Sequence, residues 1–324
     1  MPSKFNRFGI LCVTSLLLCA FSCDQHNPNS SPSTTTNQEK QPEELPQQEQ
    51  SKIQQDQILH QNNRKAYCAL KYSELNPPEK EEESNDEIEK RAMKFEKSHK
   101  LQEAIWEYGK NKKFDDERER VTQELTQILT EGDYEVVERD IGGTHPKTLL
   151  EFPLEDGKKI RGVFKATDWF PEVATYQVDQ LLRLDIVPMS VRRTVKTKKG
   201  LKDGNIQYWV SGTRDGTPDD INVEGLTRMK ILDFLIGNSD RSLYRNFLYW
   251  NKQKRLIAVD HEVGFKSVSC GELEDIQTYI EHDEELASRF KDLDLKDVKS
   301  ILKKQKIKSK NFALILRRFK DLKK

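Results

Sequence analysis

The sequence predicts an α+β protein whose folded part has two lobes, a β-rich one followed by an α-rich one. Three observations predict it. Between residues 133 and 213 short β-rich runs alternate with glycine-containing turns. From Leu226 onward helical periodicity dominates, broken by one small hairpin. Ahead of both lies a polar stretch, 24–64, without a single aromatic residue. Two unlike lobes leave a cleft at their junction, and clefts are where ligands bind.

The chain of 324 residues has room for one large domain or two small ones. Charged residues make up 33% and apolar residues 35%. The formal net charge is zero, so overall charge points to no partner, and nucleic acid is not expected.

Residues 1–22 read as an export leader. Lys4 and Arg7 precede an apolar stretch, Phe8 to Ser22, that is too short for a spanning helix. The run LLLCAFSC, with Ser22 before Cys23, resembles the bacterial lipobox, with Phe21 departing from its tightest form. The resemblance implies a diacylglyceryl group on Cys23. It places the protein in a bacterial cell envelope, anchored through that lipid to the inner or the outer membrane. Several acyl chains on one residue anchor stably where a single chain is marginal. Cys12 and Cys19 leave with the leader. Cys68 and Cys270 lack metal-ligand spacing and read as structural or incidental.

Residues 23–84 form the next segment, dominated by Gln, Asn, Ser, Thr, Pro and Glu. Such a chain cannot bury enough apolar surface to offset its ordering entropy, which predicts a flexible tether. The acidic run Glu79–Glu83 marks its end. Over 85–132 the positions of Ile88, Met93, Phe95, Ile105, Trp106, Tyr108, Val121, Leu125, Ile128 and Leu129 predict two or three amphipathic helices. Gly132 ends the last of them.

The β-rich lobe spans 133–213. YEVVERD, KTLLEF and KIRGVFK are strands separated by GGT and EDGK turns. A helix follows over Asp168–Leu184, with Asp168 as cap and Pro171 in the first turn. VPMSVRRTV and NIQYWVSG are two more strands, flanking KKGLKDG. The α-rich lobe spans 214–324, with FLYW and LIAVD as its hairpin. Its last stretch, Arg289–Lys324, is strongly basic. Ile301, Leu302, Phe312, Leu314, Ile315, Leu316 and Phe319 supply the packing face; the lysines read as a solvated face, the alternative being attraction to anionic lipid headgroups or acidic substrate.

The chemistry concentrates in residues 233–265. Asp240 stands on a loop, Asn246 follows, and Asp260 ends the apolar run LIAV, where a charge is costly unless something satisfies it. Phosphoryl transfer needs a carboxylate to orient the attacking hydroxyl and oxygen ligands to hold a divalent cation on the phosphates. Lys165 closes the strand IRGVFKA, and Glu172 in the following helix can pair with it. Gly142 and Gly143 in IGGTHPKT let backbone approach phosphates closely. Arg241 reads as a brace for the loop and His261 as structural.

EVATYQVDQLLRLDIVPMSVRR, DFLIGNSDR and IAVDHEVGF together resemble the atypical kinases related to the secretory-pathway casein kinase and four-jointed group. They are also similar to bacterial phosphatidylinositol 3-/4-kinase-like and HipA-like proteins, over about residues 137–270. The resemblance implies a two-lobed protein-kinase-like domain using ATP with Mg2+ or Mn2+. It implies Asp240 as catalytic base, Asn246 and Asp260 as metal ligands, and Lys165 on the phosphates. Tyr208 and Trp209, in QYWVS, fall where adenine is held through backbone. Four departures stand out. Ser242 follows Arg241 where many relatives have His, Asn246 comes six residues after Asp240 instead of five, Lys165 and Glu172 are only seven apart, and His261-Glu262 replaces the usual glycine. The expected function is transfer of the ATP γ-phosphate to a hydroxyl of a protein, lipid or small molecule. The alternative is a kinase-like lipoprotein that binds nucleotide or a partner without turnover.

Overall fold

The computed structural model describes residues 83–139, 147–166, 170–197, 200–241, 245–265, 273–307 and 309–323, with part of 54–67. The chain divides into a short unit, 1–61, and a main unit, 62–324. Among the described residues no helix is long and apolar enough to cross a membrane.

Three helices open the main unit: α1 (Asn85–Lys97), α2 (Leu101–Tyr108) and α3 (Asp115–Glu131). Ser84 caps α1 reciprocally with Glu87, satisfying backbone donors that the first turn leaves unpaired. Gly132 closes α3 for a steric reason, since a side chain there would begin 2.6 Å from the Ile128 carbonyl.

Five strands follow: β1 (Glu135–Arg139), β2 (Lys147–Pro153), β3 (Lys159–Lys165), β4 (Ser190–Thr197) and β5 (Gly200–Tyr208). They form one antiparallel sheet in the order β1-β2-β3-β5-β4. Helix α4 (Phe170–Leu182) connects β3 to β4. The observed β4–β5 hairpin is longer than expected, because KKGLKDG is mostly strand. Its pairing runs out to Thr197 and Gly200. Exposed polar pairs such as Arg192 and Asp203, 2.6 Å apart, extend it beyond the apolar pattern that signals a strand.

Register decides which residues face the cleft. Cross-strand partners share a face of the sheet, so Lys147, Lys165 and Asn205 lie together, as do Leu149, Val163 and Gln207. The opposite face carries Leu150, Phe164, Ile206 and Tyr208 and packs on the helical extension. There the Tyr208 hydroxyl donates to Glu103 Oε2 at 2.9 Å, and Arg193 lies over Tyr134 and Phe152. Gly204 permits close contact of β5 with β3, since a Cβ there would meet the Lys165 carbonyl at 2.2 Å.

The second lobe is built on α5 (Val223–Ile236), capped by Asn222 and ended by Gly237 in the left-handed region at φ 65°. A three-stranded antiparallel sheet flanks it: β6 (Thr213–Asp215), β7 (Phe247–Trp250) and β8 (Arg255–Ala258). β6 is too short and polar to register as a strand in sequence. Helices α6 (Leu273–Glu281), α7 (Glu284–Asp292), α8 (Leu295–Lys304) and α9 (Ser309–Leu322) complete the lobe. The protein is therefore α+β, an antiparallel sheet followed by helices.

One feature departs from the expected tether over 23–84. Tyr67 is 1% exposed, and its hydroxyl donates to Asp233 Oδ2 at 2.9 Å. The Lys230 ammonium lies 4.6 Å from the centre of its ring and bonds its carbonyl. Tyr67 lies in the run AYCAL, where apolar residues interrupt the polar segment, and its docking satisfies the buried Lys230 ammonium.

Candidate functional site

Strand β3 and helix α4 bring the first two charges together. Lys165 Nζ lies 2.6 Å from Glu172 Oε1, and the side chains are 6% and 1% exposed. Burial opposes charge on both groups, yet the pair prevails. Glu172 and Asp260 hold the Lys165 ammonium above the ordinary lysine range. Lys165 and His261 hold the Glu172 carboxyl well below the usual carboxylate range. The seven-residue spacing follows from the element bounds, because β3 ends at Lys165 and α4 starts at Phe170.

Asp260, just past β8, reaches the same lysine across the cleft, with Oδ1 3.2 Å from Nζ. His261 engages both oxygens of Glu172. Its backbone N–H donates to Glu172 Oε1 at 3.2 Å, and its Nδ1 lies 3.1 Å from Oε2. An ionised carboxylate only accepts, so Nδ1 carries the proton. His261 is fully buried and touches Glu172, not the cleft. Lys147, at the start of β2, places its Nζ 3.9 Å from Asp260 Oδ2. Sequence reading missed it, because only the β2–β3 register sets Lys147 beside Lys165.

The loop after α5 holds the other acidic residue. Asp233 and Arg241 form a bridge with no solvent exposure, through two bonds of 2.7 and 3.0 Å. Asn238 donates to Asp233 at 2.9 Å and accepts from the Asp240 N–H at 3.2 Å. Arg241 also bonds the carbonyls of Asn246 and Val259, tying the loop to both strands of the hairpin. Asn246 Nδ2 donates to the Asp240 carbonyl at 2.9 Å and to its carboxylate at 3.2 Å. Asn246 and Asp260 adopt φ of 69° and 61°. Asn and Asp tolerate this left-handed region better than other side chains, and it recurs at functional sites.

Lys147, Val163, Lys165 and Gln207 wall one side of a cleft of about 720 Å³; Asn246 and Asp260 lie opposite. That volume is in the range of small-molecule sites. Trp209, 38% exposed, stands at its margin. The Tyr208 and Trp209 N–H groups are already used, by the carbonyls of Met189 and Arg161 at 2.8 and 3.0 Å. Tyr208 turns its phenol away, to Glu103.

Asp260 and Asn246 offer a carboxylate and an amide oxygen, the hard donors that Mg2+ and Mn2+ prefer. Among the described residues no cluster of three or more His, Cys, Asp and Glu side chains could hold a metal alone. A cation here would complete its shell with phosphate and water oxygens, which is the habit of Mg2+. Gly142, Gly143 and Cys23 lie outside the described residues.

No family model and no curated protein sequence matches the chain. Among solved structures it is similar to the Golgi casein kinase with Mn/ADP bound, at a TM-score of 0.43 and 16% identity, covering 63% of this chain and 75% of that one. It is similar to a hydra Fam20 with sugar at a TM-score of 0.41 and 13% identity, covering 63% and 88%.

Proposed function

We propose that the protein is a lipid-anchored envelope kinase that transfers the γ-phosphate of ATP to a hydroxyl acceptor. The observation that supports this reading is the meeting of Lys165, Glu172 and Asp260 from three separate elements at one cleft. In this reading Lys165, fixed by Glu172, contacts the nucleotide phosphates, with the backbone of Gly142 and Gly143 beside them. Asp260 and Asn246 hold the Mg2+ or Mn2+, whose contribution is to neutralise phosphate charge.

Asp240 accepts the proton of the acceptor hydroxyl. The acceptor oxygen forms its bond to the γ-phosphorus as the bond from that phosphorus to the ADP oxygen breaks. The amide of Asn246, 3.2 Å from the Asp240 carboxylate, keeps that carboxylate oriented. The adenine ring lies beside Trp209 and meets the backbone of the 209–211 segment, because the N–H groups of Tyr208 and Trp209 serve the sheet.

The test is a thermal shift with ATP, with and without Mg2+ or Mn2+. Ligand at a hundred times its dissociation constant adds about 2.7 kcal/mol to stability. Asp260→Ala is expected to lose the metal-dependent part. Equal stabilisation in EDTA would show the metal assignment to be wrong.

A further inference from the structure

A second cavity, about 530 Å³, lies where the helical extension meets the loop after α4, the start of α5, the β7–β8 turn and α7. Three guanidinium groups converge on it. Arg289 donates to the carbonyls of Leu182 and Arg183 at 3.3 and 2.6 Å, Arg228 to that of Leu184 at 2.8 Å, and Arg255 to that of Asp185. These carbonyls close the C-terminal end of α4, where cations are favoured. Capping a carbonyl takes one or two donors, and each guanidinium has five.

Glu224 contacts Arg228 and Glu285 contacts Arg289, but they are 63% and 46% exposed. The carboxylate of Asp185 is engaged by Arg118 at 2.6 Å. Of the other carboxylates lining the cavity, Glu83 and Glu107 are each engaged by Arg91 and Lys110. Among the described residues Arg255 has no ion pair, and its guanidinium stacks over Trp106 at 4.6 Å. Arg289 Nε is buried without a hydrogen-bond partner. Burial lowers the pKa of both Arg255 and Arg289, outweighing the opposing pull of Asp185, Glu224 and Glu107 on the first and of Glu285 and Asp185 on the second.

We propose that this cavity binds a phosphoryl group, free or at the end of a small molecule, through Arg255 and Arg289. Rigid planar guanidinium forks match phosphate oxygens two at a time, and Trp106 holds one fork in place. The ligand joins the helical extension to both lobes and braces the end of the helix whose first turn carries Glu172. This site is separate from the cleft and does not depend on the kinase reading.

The test is the thermal stability of the full chain in metal-free, nucleotide-free buffer. Inorganic phosphate and glycerol 3-phosphate are the two probes. Stabilisation is expected in wild type with at least one probe, and glycerol 3-phosphate alone identifies a phosphorylated small molecule as the source. The stabilisation persists in Lys147→Gln, which removes a part-exposed cation of the cleft. Arg255→Gln weakens the binding about tenfold or more, the scale of a lost charged hydrogen bond. Lys254→Glu, an exposed change at the rim, weakens it by repulsion without disturbing the fold, which keeps the test decisive should Arg255→Gln misfold. No stabilisation by either probe, loss in Lys147→Gln, or full retention in Arg255→Gln and Lys254→Glu overturns the proposal.

Discussion

Lys165 and Glu172 form an ion pair sealed from solvent, 2.6 Å from Nζ to Oε1, on elements separated by a seven-residue step. A buried pair contributes little over an apolar replacement, but removing one partner strands the other. Glu172→Gln should therefore cost about 3–5 kcal/mol at pH 7, read from urea midpoints. The Glu172 carboxyl is depressed in the folded state, so its contribution is present above its ordinary value of about 4.5 and fades as pH falls towards the folded value. The gap between wild type and variant should narrow below that pH. An equal gap at pH 7 and pH 3 would contradict the assignment.

Asp179 predicts the opposite pH dependence. It is fully buried, accepts from the N–H groups of Ile186 and Val187 at 3.0 and 3.2 Å, and faces Asp185. Burial, then the charge of Asp185, pushes its carboxyl up to about 7 from an ordinary 3.8. Between those values the folded chain holds a proton that the unfolded chain has released, so stability falls as pH rises through the window. Asp179→Asn keeps the accepting oxygen and removes the titration. The variant should lose less stability than wild type between pH 5 and pH 8, and identical profiles would refute the shift.

Tyr67 tests whether the segment before α1 belongs to the fold. Tyr67→Phe removes its hydrogen bond to Asp233 and should cost about 1 kcal/mol. Tyr67→Ala should cost about 3–5 kcal/mol, as large aromatic truncations in a core do. Thermal midpoints for both variants indistinguishable from wild type would return Tyr67 to the tether.

How much of this was legible in sequence depends on the range of the interaction. Lys165 and Asp260 stand out because each ends an apolar strand, where a charge needs a reason. The order of strands and helices follows from local periodicity and turns. Lys147 beside Asp260 was not legible, because its position depends on a register set through a turn. Nor was Tyr67 against Asp233, which joins residues 166 apart. The bridge from Asp233 to Arg241 spans eight residues, but the burial that makes it matter comes from packing around α5.

The lipid anchor is tested at Cys23. Cys23→Ser should leave the protein unlipidated, either uncleaved or released from the membrane fraction. Fractionation and intact mass check it. Unchanged mass and membrane retention would remove the anchor from the proposal.

The central claim is that Asp240 acts on an acceptor hydroxyl. A group that works in the transition state contributes little to nucleotide affinity. Asp240→Asn should therefore bind ATP within a few-fold of wild type yet reduce phosphoryl transfer by roughly 10²–10⁴. Lys165→Met should lower affinity and transfer together, since its ammonium meets the phosphates before any bond changes. The measurement is transfer of labelled γ-phosphate to the protein itself and to extracted envelope components, with Mg2+ and with Mn2+. The account predicts label from wild type and almost none from Asp240→Asn at saturating ATP. Wild type and Asp240→Asn that both bind ATP and are equally silent would contradict it, leaving a nucleotide-binding lipoprotein in its place.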